Sequence, residues 1–158
     1  MTVLRARELY RFYRVGDEET LALRGVSLAV PSGKLMTVAG PSGSGKSTLL
    51  ACLAGLDEPD GGSVYIRETR ISHRPEHERS ALRARHIGTL FQSGALWSGM
   101  TLAENVALPL KQYTKLSDPE IRELCAYKLA LVGLAGFEDF YPSEISGGMK
   151  KRAGLARA

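Results

Sequence analysis

Hydrophobic and polar residues alternate along the first part of the chain. Val26, Leu28 and Val30 are separated by smaller or polar residues, a period of two that is typical of strands with one buried face. The charged stretch 16–19, Gly-Asp-Glu-Glu, predicts a turn. The pattern between Val3 and Val30 therefore predicts antiparallel strands.

A different pattern follows at residues 35–39, Leu-Met-Thr-Val-Ala, which form a short and nearly continuous apolar run. Such runs are typical of parallel-sheet strands buried on both faces. The run leads into the glycine-rich stretch 40–45 and then into residues 46–54, whose composition predicts a helix ending at Gly55. The order strand, loop, helix predicts the beginning of a βα unit.

The rest of the chain changes from β-rich to helical. Residues 59–62 predict a turn, 63–67 a strand, 76–85 an exposed charged helix and 86–91 another strand. From residue 101 onward the pattern is helical throughout.

Two helices are predicted in this later part. The first covers 101–108 and is expected to stop at Pro109. The second runs from Asp118 to about Val132, and Ser117 with Glu120 forms a possible capping box at its start. One apolar stripe runs along this second helix: Ile121, Leu124, Cys125, Leu129 and Val132.

The composition is that of a soluble globular protein. The chain has 158 residues, 44% of them hydrophobic and 24% charged. Lys and Arg total 21 against 17 Asp and Glu, and a net charge of +4 is compatible with phosphate ligands without selecting a partner. The start resembles no signal peptide, and the longest apolar runs are shorter than the roughly 20 residues of a membrane span. We expect a cytosolic protein whose two cysteines, Cys52 and Cys125, are core thiols.

Residues 40–47, Gly-Pro-Ser-Gly-Ser-Gly-Lys-Ser, fit the phosphate-binding pattern G-x-x-x-x-G-K-[ST] between a predicted strand and a helix. Glycines let the backbone N–H groups wrap phosphates, and the helix start adds further donors. Lys46 is expected to reach the β and γ phosphates of ATP, Ser47 to bind Mg²⁺, and Thr48 to donate to the α phosphate. The candidate nucleotide site in this loop comprises Gly40, Pro41, Ser42, Gly43, Ser44, Gly45, Lys46, Ser47 and Thr48.

This loop alone leaves small-molecule kinases, GTPases and transport ATPases open. Two later segments bear on the choice. Gln92 stands at the end of a predicted strand, where its carbonyl oxygen is a candidate Mg²⁺ ligand. Ser146, Gly147 and Gly148 precede a basic helical pattern and predict a second anion site, because a serine and free N–H groups at a helix start suit a phosphate.

Together these motifs resemble the ATP-binding cassette (ABC) family, with Walker A at 40–48, a Q-loop glutamine at Gln92 and the signature at 145–149, in the family's order. The resemblance implies an α/β fold: a P-loop NTPase core with an antiparallel β subdomain and a helical subdomain. It also implies that Tyr13 stacks on adenine. It further implies that two copies dimerise head to tail, and that the helical subdomain contacts an integral membrane permease.

Within the family, residues 91–96, 105–110 and 143–149 look most like the Mla-type phospholipid transport ATPases, including Met149 where the signature usually has Gln. Residues 55–59, together with Gly61 and Gly62, look equally like lipoprotein-release or macrolide-export cassettes. A P-loop small-molecule kinase is the alternative from another class. No nucleic-acid partner is expected, because the basic stretch 67–85 lacks interleaved aromatic residues. The implied location is peripheral, on the cytoplasmic face of the inner (plasma) membrane.

The family continues with a Walker B Asp, a catalytic Glu and a switch His, and the sequence shows none of them after Ala158. His73, His77 and His86 precede the signature and are expected on the solvated surface. We therefore expect a partial ABC domain that holds no catalytic residue, is inactive alone and is poorly soluble. Its predicted parts are 1–92, 93–148 and 149–158.

Overall fold

A computed structural model of the chain describes residues 1–16, 18–92 and 94–158. They form two compact units, Met1–Ile87 and Gly88–Ala158. The turn predicted at 16–19 contains Asp17 and the motif 91–96 contains Ser93, and these two residues lie outside the described ones. The subdivision of the chain predicted from the sequence stays a prediction.

The first unit contains an antiparallel sheet of four strands in the order β2-β1-β3-β4. Its strands are β1 (Thr2–Val15), β2 (Glu18–Pro31), β3 (Gly61–Ile66) and β4 (Thr69–Arg70). Its helices are α1 (Lys46–Leu53) and α2 (Glu76–His86). The antiparallel strands predicted in the first thirty residues are confirmed, and so are both helices.

Period-two alternation determines which sheet face is buried. Ala6 pairs with Val64 and both are buried, whereas Arg5 and Tyr65, paired in the next row, point to the other face. The inward side chains pack with those of α1 in one core, which comprises Ala6, Leu9, Leu23, Leu49, Cys52, Leu53, Val64, Ile66 and Ile71.

Two predicted strands, at residues 35–39 and 86–91, are wrong. His86 ends α2, and neither segment is a strand in the part of the chain that the structure describes. Leu35, expected to be buried on both faces, is 94% exposed. A strand needs a neighbour to receive its backbone hydrogen bonds, and neither segment is part of the sheet β2-β1-β3-β4. The expected parallel βα unit is accordingly absent from the described residues.

The second unit is helical, as predicted, with α3 (Leu102–Tyr113), α4 (Asp118–Leu131), a short 3₁₀ turn (Pro142–Glu144) and α5 (Gly147–Arg157). The predicted stripe on α4 is largely confirmed, with Ile121, Cys125 and Leu129 buried. Its core comprises Leu102, Val106, Ala107, Ile121, Cys125, Leu129, Leu134, Ile145, Ala153 and Ala156.

The helix starts follow capping chemistry. The Glu120 carboxylate accepts hydrogen bonds from both the backbone N–H and the hydroxyl of Ser117, at 2.7 and 2.6 Å. The prediction that Pro109 ends the preceding helix is wrong, because α3 continues through it to Tyr113. Proline removes one backbone donor, and the packing of α3 against α4 and α5 compensates for that loss.

The predictions for the cysteines and histidines are confirmed. Cys52 and Cys125 are free and buried, and burial raises the pKa of the Cys52 thiol to about 11. His73, His77 and His86 are exposed. Among the described residues, no helix combines the length and the apolar character that a membrane crossing requires.

Candidate functional site

The glycine-rich loop leads directly into α1. Gly43 and Gly45 have φ angles of 80° and 84°, a left-handed conformation that side chains disfavour. A Cβ atom on Gly45 would lie 2.3 Å from the carbonyl oxygen of Ala22 in β2. Glycine at this position therefore lets the start of α1 pack directly against the backbone of the sheet.

Lys46 turns its ammonium group back into this loop. Nζ donates to the carbonyl oxygens of Gly40 at 2.9 Å and Pro41 at 2.5 Å, and lies 3.4 Å from the hydroxyl of Ser44. Residues 40 to 46 are thus wrapped around one positive charge. An anion that enters the loop meets this charge at close range.

The start of α1 offers unpaired donors to such an anion. Its N-cap is Gly45, no side chain caps the helix, and the first turn contains no acidic residue. The first N–H groups of a helix have no partner within the helix and carry the positive end of its dipole. Positive charge, helix dipole and free N–H groups therefore converge on one place, which fits a phosphate chain.

A cavity of about 510 Å³ lies along the loop. This volume falls within the usual range of small-molecule sites. Its walls come from β2, from the segment before the loop and from α1: Leu21, Ala22, Leu23, Arg24, Val26, Val38, Ala39, Gly40, Pro41, Gly43, Ser44, Gly45, Lys46 and Leu49.

The candidate metal ligand in this unit is Ser47, which lies exposed in the first turn of α1. No group of three His, Cys, Asp or Glu side chains able to hold a metal ion occurs among the described residues. A magnesium ion at this site would depend on the Ser47 hydroxyl together with phosphate oxygens, and the residues present fit that mode of binding.

Tyr13, the candidate base-stacking residue, lies in the same unit near the end of β1. Its hydroxyl donates to Asp57 Oδ2 at 2.7 Å, and the Arg11 guanidinium lies 4.8 Å from the centre of its ring. Arg11 in turn makes a forked pair with Asp57, at 3.0 and 2.8 Å. The three side chains form one connected network, which we call the tyrosine network: Arg11, Tyr13 and Asp57.

The contacts within the tyrosine network favour the ionised forms of Asp57 and Arg11. Burial alone would raise the pKa of Asp57, but hydrogen bonds from Tyr13, from the Glu58 N–H and from Arg11 outweigh it, and this pKa lies below its usual value. Burial acts to lower the pKa of Arg11, yet its hydrogen bonds and the Asp57 charge raise it overall. Both groups are therefore ionised throughout the physiological pH range.

The remaining predicted site residues lie in the second unit. Gln92 is exposed in a turn. Ser146 is the N-cap of α5, where its hydroxyl accepts from the Met149 N–H at 3.3 Å. Gly147 and Gly148 form the exposed first turn of this helix, and a Cβ at Gly147 would meet open space. The predicted serine and glycines are thus gathered at an accessible helix start.

Sequence reasoning missed Arg11 and Asp57. The spacing of Arg11 and Tyr13, two residues apart on one strand, places them on the same face, and this signal was available in the sequence. Asp57 lies 44 residues beyond Tyr13, and no pattern in the sequence pairs them.

The chain is similar to known proteins in both sequence and structure. The family model described as "ABC transporter" matches residues 23–158. Among solved structures, the dimeric post-hydrolysis state of the ATP-binding cassette MJ0796 bound to ADP and Pi superposes with a TM-score of 0.94 at 33% identity. That superposition covers 98% of this chain and 68% of the other.

Three similar proteins have names that refer to different transport substrates or to none. The chain is 49% identical to the probable ribonucleotide transport ATP-binding protein mkl of Mycobacterium bovis, over 84% of its length and 37% of the relative. It is 44% identical to the protein Trigalactosyldiacylglycerol 3, chloroplastic, of Arabidopsis thaliana, over 99% of its length and 44% of the relative. It is 43% identical to the methionine import ATP-binding protein MetN of Thermobifida fusca, over 99% and 48%. The chain thus spans less than half the length of these relatives.

Proposed function

The chain belongs to the ABC transporter family, and on this premise we propose that it binds MgATP as the nucleotide-binding part of a membrane transporter. The observation that carries the proposal is the loop 40–46 wrapped around the Lys46 ammonium at the uncapped start of α1. In the whole protein, ATP-dependent dimerisation and hydrolysis drive transport. The fold is the α/β cassette fold of MJ0796.

The first unit supplies the groups that bind the nucleotide. The N–H groups of the loop and of the first turn of α1 donate to phosphate oxygens, and Lys46 exchanges its carbonyl partners for the β and γ phosphates. Ser47 offers its hydroxyl to Mg²⁺, which neutralises charge on the phosphates when bound. Thr48 donates to the α phosphate, and Tyr13 stacks on adenine. We assign no catalytic base within this chain.

The second unit supplies the partner contacts. Ser146, Gly147 and Gly148 lie exposed at the start of α5 and are proposed to meet the γ phosphate bound by a second copy of the chain. Gln92 is proposed to bind Mg²⁺. The helical unit is proposed to contact an integral membrane permease on the cytoplasmic face of the membrane. Its exposed aromatic side chains, Trp97 and Tyr141, suit such a contact.

We propose phospholipid as the cargo, because residues 91–96, 105–110 and 143–149 look most like the Mla-type branch. The names of the relatives differ: one names ribonucleotide transport and another methionine import. The cargo proposal therefore depends on these motifs, and the nucleotide-binding proposal is independent of it.

Nucleotide binding is tested by titrating the chain with MgATP. Lys46→Ala is expected to weaken binding about ten- to a hundredfold, because it removes charge-assisted hydrogen bonds to the phosphates. Lys34→Ala is the matched control, since this exposed lysine lies in the turn after β2, outside the loop, and its removal is expected to leave affinity unchanged. Equal affinity in the Lys46→Ala and Lys34→Ala proteins would contradict the phosphate assignment.

Cargo is tested with the whole protein and its permease in vesicles. ATP-dependent movement of fluorescent phospholipid is expected, and this movement should be lost with Lys46→Ala. ATP-dependent uptake of methionine or of a ribonucleotide by the same vesicles, without lipid movement, would replace the phospholipid proposal while leaving nucleotide binding intact.

A further inference from the structure

We propose that Arg11 and Asp57 are positioning residues that hold the Tyr13 ring in the orientation in which it receives the nucleotide base. The proposal rests on the proposed ATP-binding function and adds two residues to that site. It follows from the contacts of the tyrosine network, from its anchoring in the fold and from its place beside the phosphate loop.

The contacts fix Tyr13 at two different points. Its hydroxyl donates to Asp57 at 2.7 Å, and one ring face is covered by the Arg11 guanidinium at 4.8 Å from the ring centre. A hydrogen bond at the tip and a cation over one face together restrict both side-chain torsions. Tyr13 as a whole remains 37% exposed, so a ligand can reach this residue.

The two positioning side chains are themselves anchored. Arg11 donates to both carboxylate oxygens of Asp57 and, at 3.2 Å, to both oxygens of Asp60. Asp60 also accepts the backbone N–H of Phe12 at 2.7 Å. The segment after α1 is thus tied to β1 at Arg11 and at Phe12. A forked guanidinium–carboxylate pair fixes both the distance and the direction between its two groups. Because Arg11 and Asp57 both contact Tyr13, they fix the position of its ring.

The tyrosine network lies next to the phosphate loop. Tyr13 pairs with Thr20 in the hairpin and Phe12 pairs with Leu21, which lines the cavity of the loop. The next residue, Ala22, is the one whose carbonyl packs against Gly45. Two strand residues span about 7 Å, which is within the distance between the base and the phosphates of a nucleotide. A base stacked on Tyr13 can therefore belong to a nucleotide whose phosphates lie in the loop.

Preorganisation explains what these contacts do. A free tyrosine loses rotamer freedom when a base stacks on it, and that loss weakens binding. In this chain the loss has already occurred on folding. The benefit concerns the base alone, because neither Arg11 nor Asp57 lines the phosphate cavity. Removing either residue is therefore expected to weaken binding of a nucleotide and to leave binding of a bare triphosphate chain unchanged.

The experiment compares two probes, MgATP and magnesium tripolyphosphate, on the same variants by calorimetric titration. Tyr13→Ala is expected to lower MgATP affinity about ten- to a hundredfold through lost stacking. Arg11→Met and Tyr13→Phe are expected to lower it about three- to tenfold, with tripolyphosphate affinity unchanged in all three. Arg11→Lys keeps the cation and is expected to restore part of the loss.

Arg14→Met is the matched control. Arg14 lies one residue beyond Tyr13 on β1, its side chain is 80% exposed, and its ion pair with Glu19 is long, at 3.8 Å. The Arg14→Met variant is expected to bind both probes with the affinity of the unmodified chain. Thermal unfolding of each variant checks the fold. Tyr13→Phe keeps the ring and the Arg11–Asp57 pair, so it tests the hydroxyl anchor even where Arg11→Met unfolds.

The results distinguish failure of the positioning role from failure of the ATP site. Equal losses for ATP and tripolyphosphate in Arg11→Met would assign Arg11 a purely structural role and overturn the inference. Unchanged ATP affinity in Arg11→Met and Tyr13→Phe, alongside a loss in Tyr13→Ala, would overturn it too and leave the ATP site standing. Absence of any Lys46-dependent binding of either probe would instead overturn the proposed function.

Discussion

The Lys46 ammonium already has partners before any nucleotide arrives, since it donates to Gly40 and Pro41 of its own loop. In the proposed site, nucleotide binding would exchange these carbonyl contacts for phosphate contacts instead of adding new ones. Exchange of this kind yields a net gain much smaller than the full strength of an isolated bond. The tenfold to hundredfold effect expected for Lys46→Ala reflects that exchange.

Asp57 links the tyrosine network to the pH dependence of stability. Its pKa is lowered in the folded chain from the ordinary value of 3.8. A lowered folded pKa stabilises the chain above the pKa of the unfolded state, and this contribution is lost as the pH falls from about 4 through the folded value. We expect chemical denaturation to show stability falling in this acidic range, with a shallower fall in Asp57→Asn.

The control for that experiment is Asp139→Asn, which changes an exposed aspartate of the second unit. It is expected to leave the acidic fall in stability unchanged. If Asp57→Asn and the unmodified chain lose stability in parallel between pH 5 and pH 2, the carboxylate does not contribute as the geometry indicates.

Among the secondary-structure elements, local pattern and local chemistry predicted the hairpin β1–β2, α1, α2 and α4. These predictions failed where the secondary structure depends on contacts with residues that are distant in sequence. Residues 35–39 have a strand composition, but a strand forms only with a neighbour, which no local window contains. Proline disfavours the interior of a helix, yet α3 continues through Pro109 because its packing against other helices stabilises it. In the candidate site, the motif at residues 40–47 predicted the glycine-rich loop. The contact between Asp57 and Tyr13 arises only from the fold and could not be predicted from the sequence pattern.

Asn105 joins α3 to the loop before it. Its side chain is fully buried, its amide donates to the carbonyl oxygens of Trp97, Met100 and Thr101, and its Oδ1 accepts the Trp97 N–H at 2.7 Å. For the Trp97 N–H and the Met100 carbonyl oxygen, this side chain is the only hydrogen-bond partner among the described residues. Asn105→Leu is expected to destabilise the chain by about 2–4 kcal/mol, because buried polar groups without partners are costly.

Gln112→Leu provides the comparison, since it makes the same amide-to-leucine change on the exposed side of the same helix. Its effect on the free energy of unfolding is expected to stay within about 0.5 kcal/mol. Guanidinium denaturation followed by circular dichroism measures both variants. Equal stabilities for the two would show that the Asn105 hydrogen bonds contribute little.

At the scale of the whole molecule, each unit has its own apolar core, and the chain carries a net charge of +4. Mutual repulsion from this charge favours monomers. The segment 35–39 has the opposite effect and favours association. Leu35 and Met36 are exposed, and no backbone N–H of the segment has a partner in the part of the chain that the structure describes. Exposed apolar backbone with free donors promotes pairing between chains.

We therefore expect the chain to self-associate without nucleotide, through residues 35–39. Leu35→Glu places a charge at the most exposed apolar position of the segment and is expected to shift sedimentation toward the monomer. Leu131→Glu is the matched control, because Leu131 is also exposed, at 67%, but is the last residue of helix α4, where backbone N–H groups donate within the helix. Association that persists in Leu35→Glu would show that another surface causes it. Association that both substitutions remove equally would show that exposed leucine in general causes it. A monomer that appears with Leu35→Glu alone would assign the association to this segment and would distinguish it from the nucleotide-dependent dimer proposed above.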